Sequence, residues 1–250
     1  MAQLRPLRLI AQRAKNNVDA QLTSNFIAEV VVDTPVTHLD GTYSYALSDS
    51  EHGLCKFGSL LKIPFGKTIT TGYVVAIRER RTEDVALKGI ASIISNRTLL
   101  TPQIWSLIKT AAARYCTNPN ELIRFAIPPR VASTEKSIPE GAFRSTTSDK
   151  SKLYKNDLLD SIYGTNITVA SASKHGALLA PSAVDTFKIL IELILKRLAL
   201  GNVLVIVPDL KDTARLEEKL SLIEGLNFLR FDSSLDKSDR YTTFLRILGG

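Results

Sequence analysis

Gly66-Lys67-Thr68 ends the way a phosphate-binding loop ends. Such a loop has a second glycine five positions earlier and lies between a strand and a helix, where backbone N–H groups and the helix terminus hold phosphate oxygens. Here Leu61 stands at the earlier position, and the strand pattern Ile69-Thr70-Thr71-Gly72-Tyr73-Val74-Val75 follows. Gly66 and Lys67 are therefore expected in a tight turn, the glycine admitting a ligand or backbone and the lysine reaching a phosphate. The junction Ala180-Pro181-Ser182-Ala183-Val184-Asp185-Thr186, before a long apolar helix, has no glycine and an aspartate that would repel phosphate. Ser182 reads there as a plain helix cap. No Gly-x-Ser-x-Gly elbow, His-Glu-x-x-His or close His/Cys group supplies a catalytic centre, so no catalytic residue is assigned and an enzyme is disfavoured.

Cys55 and Cys116 are the two cysteines, and His38, His52 and His175 lie far apart. A closed zinc site takes four Cys/His ligands at short spacings, so neither a metal nor another cofactor is expected, and the cysteines read as reduced thiols of a cytosolic protein. Aromatic residues interleaved with bases remain: Tyr43, Tyr45, Phe57, Phe65 and Tyr73 among Lys56, Lys62, Lys67, Arg78, Arg80, Arg81 and Lys88. Stacking on aromatic faces contributes about 1–3 kcal/mol per base, and bases gain counterion release, which suits single-stranded nucleic acid. Tyr43 and Tyr45 share a face by the two-residue period of a strand, so they form either one stacking platform or one core layer.

These residues need elements to position them. The 250 residues, 44% hydrophobic and 23% charged, can bury a core and allow one or two domains. The net charge is +7. Residues 1–130 hold 16 basic and 10 acidic side chains, a net of +6, whereas 131–250 hold 16 and 15, a net of +1. Residues 1–24 read as a basic flexible leader without the apolar run of a signal peptide. Phe26–Asp33, Thr42–Leu47, Ser59–Pro64, Thr70–Arg78 and Lys88–Ser95 read as short strands of a small antiparallel barrel or sandwich. Thr101 caps a closing helix with Pro102 at its first position. Pro128-Pro129 ends this domain, 25–130.

Residues 131–160 read as a polar linker. From 161 the pattern changes to a helix over Val184–Leu200 with the polar stripe Asp185, Lys188, Glu192 and Lys196, too interrupted for a membrane span. Val203–Val207 reads as a buried parallel strand, Asp212 as the cap of a helix through Leu222, Asn227–Phe231 as a strand and Ser238–Leu248 as a helix. The whole is expected to be α+β: a mainly-β, barrel-like domain with a closing helix, then a partial α/β, RecA-like lobe with a parallel sheet.

Val31-Val32-Asp33-Thr34-Pro35, Leu39-Asp40-Gly41-Thr42-Tyr43-Ser44-Tyr45-Ala46-Leu47, Ile63-Pro64-Phe65-Gly66-Lys67 and Thr71-Gly72-Tyr73-Val74-Val75-Ala76-Ile77 resemble the N-terminal DNA-binding domain of the PriA family of bacterial replication restart. Leu87-Lys88 and Leu99-Leu100-Thr101-Pro102 continue the match in order, and residues 176–250 look more weakly like part of that family's first helicase lobe. The resemblance implies that Tyr43, Ser44, Tyr45, Gly66 and Lys88 hold a 3′ strand end. Lys67 is added from its own place beside Gly66. The family commonly has aspartate at position 44 to accept a hydrogen bond from the terminal hydroxyl, and a serine accepts it without charge assistance.

PriA proteins are usually ATP-driven helicases with a phosphate loop and a cysteine-rich zinc insertion, and this sequence resembles the branch without the loop. It ends at Gly249-Gly250, before an acidic Walker B region, as a split reading frame or the first part of a longer protein would. The resemblance implies a cytoplasmic DNA-binding protein of replication restart, primosome assembly, DNA repair and recombination. Its expected partners are forked, single-stranded or 3′-ended DNA and replication-restart proteins or a replicative helicase loader, with no membrane. The alternatives are an active ATP-dependent 3′-5′ helicase and a protein-interaction scaffold of the replisome.

Overall fold

The computed structural model describes residues 24–33, 41–81, 87–139, 142, 158–164, 175–198 and 200–249. Residues 1–23 of the expected leader over 1–24, and 140, 141 and 143–157 of the expected linker over 131–160, lie outside them. The chain forms two compact units, residues 1–140 and 141–250.

In the first unit β1 (Phe26–Val32), β2 (Thr42–Leu47), β3 (Leu60–Phe65), β4 (Thr68–Glu79) and β5 (Ser92–Ser95) form one sheet in the order β2-β1-β4-β3-β5. Every pair of neighbouring strands is antiparallel. The β-branched strands alternate as the sequence suggests. Ala28, Val30 and Val32 of β1 enter a core with Tyr45, Leu47, Cys55, Leu61, Ile63, Val74 and Ile90. Ile27, Val31 and Ala46, on the opposite face, are at most 1% exposed, so both faces are covered. The sheet curls strongly. β2 and β3 are three strand spacings apart, about 14 Å along a flat sheet, yet the Tyr45 hydroxyl donates to the Pro64 carbonyl at 3.0 Å. The two edges also approach through the chain entering β5, where the Ala46 N–H donates to the Lys88 carbonyl at 2.9 Å.

The first helix, α1 (Asp49–Leu54), was not expected. Its signal is the capping box Ser48-Asp49-Ser50-Glu51, in which the Ser48 N–H donates to Glu51 at 2.8 Å. The closing helix α2 (Pro102–Tyr115) starts as expected, with Thr101 Oγ1 accepting from the Ile104 N–H. Two shorter helices follow, α3 (Pro119–Ala126) and α4 (Ala132–Ser137). The Arg97 guanidinium holds α4 by donating to the carbonyls of Glu135 and Ile138, and Arg130 pairs with Glu135 at 2.7 Å.

The second unit contains α5 (Leu158–Tyr163), α6 (Thr186–Leu198), α7 (Leu210–Ser221) and α8 (Lys237–Gly249). Here the structure differs from the sequence reading. Among the described residues, Val203–Val207 and Asn227–Phe231 are in no sheet, so the parallel sheet of a RecA-like lobe is not formed there. Val203, Val205 and Val207 pack beside α6 and α7, while Leu204 and Ile206 are each 85% exposed. The alternation of a strand is present; among the described residues the neighbouring strand it would bond to is not, and a ladder needs both.

Three caps and contacts also differ. Asp209, not Asp212, caps α7, accepting from the Asp212 N–H at 2.8 Å. Asp185, not Ser182, caps α6, accepting from the Phe187 N–H at 2.9 Å. Glu192 is 2% exposed rather than part of a solvated stripe, because it accepts the Leu159 N–H at 3.0 Å near the start of α5. Lys196 adds an ion pair to Asp160 on the same helix.

Candidate nucleic-acid interface

β3 and β4 are joined by Gly66-Lys67, a two-residue hairpin turn between the paired residues Phe65 and Thr68. Gly66 has φ +59°, a left-handed backbone that glycine adopts without the clash of a Cβ. A Cβ built there meets nothing within 4 Å, so the turn opens on clear space. Both residues are exposed, and Thr68 Oγ1 closes the turn by donating to the Phe65 carbonyl at 3.1 Å. Gly66-Lys67-Thr68 is thus a hairpin tip.

The expected site residues fall into three places. Tyr43 and Tyr45 lie on the same face, inside the curl. Tyr43 is half-buried, its ring edge-on to Phe65 with centroids 5.0 Å apart, so the aromatic residue of β2 stands against the strand end that carries Gly66. Tyr45 is 4% exposed and is a core anchor of the β2-to-β3 closure. Burial, with a lesser contribution from Tyr43, pushes its hydroxyl up to about 12. Lys88 is exposed and lies beside β2 through the bond between its carbonyl and Ala46.

Ser44 alone points to the opposite face, across from Glu29 on β1. Its Oγ–H lies 3.0 Å from both Glu29 oxygens, and Arg78 Nε approaches the same carboxylate at 3.2 Å. A β-bulge lies between Glu29 and Val30 in the β1–β4 pairing. The structure therefore sets Tyr43 against Phe65, the residue before Gly66-Lys67, puts Lys88 beside the edge strand β2, and turns Ser44 to the other face.

Sequence reasoning did not pick out Glu29. The available signal was one charge in the apolar strand Phe26-Ile27-Ala28-Glu29-Val30-Val31-Val32, and reading it requires the strand register. Asp33 serves structure: Arg124 of α3 pairs with it at 2.7 Å, and its backbone N–H donates to the Thr71 carbonyl. At the start of α6, where a phosphate loop was sought, the Asp185 carboxylate accepts the Phe187 N–H and pairs with Lys219 at 3.0 Å. The Lys219 ammonium and that N–H hold Asp185 below the usual carboxylate range. No group of three or more His, Cys, Asp or Glu side chains suited to a metal occurs among the described residues. No helix among them is long and apolar enough to cross a membrane.

Comparison with known proteins gives these positions a context. Residues 29–128 match the family model described as the 3′DNA-binding domain (3′BD) of PriA. The chain is also 23% identical over 227 residues to proteins named "Probable replication restart protein PriA" from Mycobacterium tuberculosis and from Mycobacterium bovis. Those alignments cover 86% of this chain and 33% of each relative, so the chain spans about a third of the relatives' length.

Proposed function

Residues 29–128 are a domain of the PriA 3′-DNA-binding type, and on that premise we propose that the chain binds forked or 3′-ended DNA through its first unit and acts in replication restart and primosome assembly. The observation that carries this reading is the tip of the β3–β4 hairpin. A half-buried aromatic, Tyr43, stands edge-on to Phe65, and the next two residues of the chain are Gly66, open on its Cβ side, and exposed Lys67. A terminal base stacks against the exposed part of Tyr43, the sugar-phosphate backbone passes the bare Gly66, and Lys67 and Lys88 meet phosphates. Tyr45 holds the curl that sets Tyr43 in place, and Ser44 lies on the other face of the edge strand with its hydroxyl on Glu29.

The proposed division of labour follows the charge: a basic leader over 1–24, DNA binding over 25–130, a linker over 131–160 and a helicase-like remnant over 161–250. The second part recruits replication-restart proteins or a helicase loader without ATP hydrolysis. That last point is supported by Asp185, whose carboxylate takes the helix-start N–H that a phosphate loop would turn toward a nucleotide. DNA-stimulated ATP hydrolysis by the purified chain would overturn it.

Fluorescence anisotropy with forked DNA tests the binding reading. A fork with an accessible 3′ end is expected to bind more tightly than the same fork with that end removed. Equal affinity would remove end recognition, and affinity for neither would favour the scaffold alternative.

A further inference from the structure

The basic excess of the first unit does not lie on its sheet. Residues 25–96, which hold the five strands, carry seven basic and eight acidic side chains, a net of −1. Residues 97–139, which hold α2, α3 and α4, carry six basic and two acidic ones, a net of +4. Three of those six bases are engaged: Arg97 donates to the carbonyls of Glu135 and Ile138, Arg130 pairs with Glu135, and Arg124 pairs with Asp33 at 2.7 Å. Lys109 and Arg114 of α2 are exposed, and neither is in an ion pair among the described residues. The Arg124 contact fixes where the helices stand. Asp33 follows β1, and its carbonyl accepts from Thr70 Oγ1 at 3.2 Å, two residues or about 7 Å along β4 from Thr68. α3, on which α2 packs, is thus tied to the end of the sheet that carries the hairpin tip.

The same two helices leave aromatic rings in solvent, each directly after an arginine in the chain. Tyr115 continues the stripe of Ile104 and Ile108 at helical spacing but falls in the last turn of α2, and it is 72% exposed. Phe125 is two residues past the buried Ile123, which turns it about 200° around α3, and it is 86% exposed. We propose that α2 and α3 form a second nucleic-acid contact surface that takes single-stranded DNA: Lys109 and Arg114 meet phosphates, and Tyr115 and Phe125 stack on bases. The net charge of +4 over 97–139 selects a polyanion over a neutral partner. The exposed rings select a single strand over a duplex, whose bases already stack on one another. The inference rests on the DNA-binding reading above but not on end recognition, because a strand without any end can lie on the helices.

The test uses the full chain and one oligonucleotide sequence prepared as a closed single-stranded circle and as a linear strand with a free 3′ end. The wild-type chain is expected to bind both, the linear strand more tightly. Replacing Tyr115→Ala with Phe125→Ala should weaken binding of the circle about tenfold. Replacing Lys109→Gln with Arg114→Gln should weaken it as well and lower its salt slope by about 1.4 units, the share of two bases on a single strand. Lys67→Ala, at the hairpin tip, should weaken the linear strand and leave the circle unchanged. All four helical side chains are exposed, so an unchanged urea midpoint is expected in both pair variants. Circle affinity and slope that survive both pair variants overturn the helical surface and leave the 3′-end reading standing. A lower slope without any effect of the aromatic pair overturns the commitment to a single strand. A linear strand bound no better than the circle, with the helical losses as expected, removes end recognition and supports this surface. Affinity for neither form overturns both.

Discussion

Two adjacent side chains, Tyr43 and Tyr45, look equivalent in sequence and do different work. Tyr43 keeps exposed surface beside the hairpin tip, whereas Tyr45 is sealed in the core with its hydroxyl on the Pro64 carbonyl. Burial pushes the hydroxyls of both Tyr45 and Tyr73 up to about 12, above the ordinary value near 10. A phenol raised in the folded state contributes stability that is fully present below about pH 10 and is lost as pH rises through about 12. Urea denaturation from pH 7 to 12 should therefore show a falling midpoint above pH 10, less steep in Tyr45→Phe. At neutral pH that variant should cost about 1 kcal/mol, the worth of one hydrogen bond. Lys88 is exposed and reaches the edge strand through its backbone, so Lys88→Ala should leave the fold intact, weaken DNA binding uniformly across sequences and lower the salt slope by about one unit. An unchanged slope would remove Lys88 from the phosphate path.

At the scale of elements, how much was legible depended on how local the signal was. The five strands were readable because alternation and turn glycines are written within a few residues, and the hairpin at Gly66-Lys67 followed from the strand pattern after it. The closing helix announced itself through Thr101 and Pro102. Six-residue α1 was too short for a periodic signal, and its capping box at Ser48 and Glu51 was the remaining clue. The caps Asp185 and Asp209 lay within three residues of those expected, an error of boundary rather than of element. Glu192 was misread because a charge at helical spacing looks solvated until the partner helix is known. Val203–Val207 has the composition and alternation of a strand, but a ladder is a non-local fact that one strand cannot declare. Ser44 and Glu29 are the same case: their meeting depends on register, which sequence specifies only through the whole sheet.

Gly72 offers a direct test of the sheet. A Cβ there would come within 2.5 Å of a Val30 methyl and 2.8 Å of the Val31 carbonyl oxygen, and the carbonyl belongs to paired backbone that cannot step aside. Gly72→Ala should destabilise the first unit by about 1–3 kcal/mol, read as a lower denaturation midpoint. A neutral result would mean that β1 and β4 are not so closely apposed.

Over the whole molecule, charge and structure divide together. Among the described residues, the half with the +6 excess contains the paired sheet and the hairpin tip, and the half near neutrality contains helices around extended segments outside any sheet. Long-range attraction to DNA is therefore assigned to the basic half of the chain. The central claim is that a 3′ strand end sits at this hairpin and edge strand. Its most direct measurement is photo-crosslinking of a partial duplex whose 3′-terminal nucleotide is 4-thiothymidine, followed by mass-spectrometric mapping on the full chain. The account predicts crosslinks at Tyr43 and within Phe65–Lys67 or at Lys88, all competed by unlabelled DNA with a free 3′ end. Crosslinks confined to residues 186–249 would contradict it.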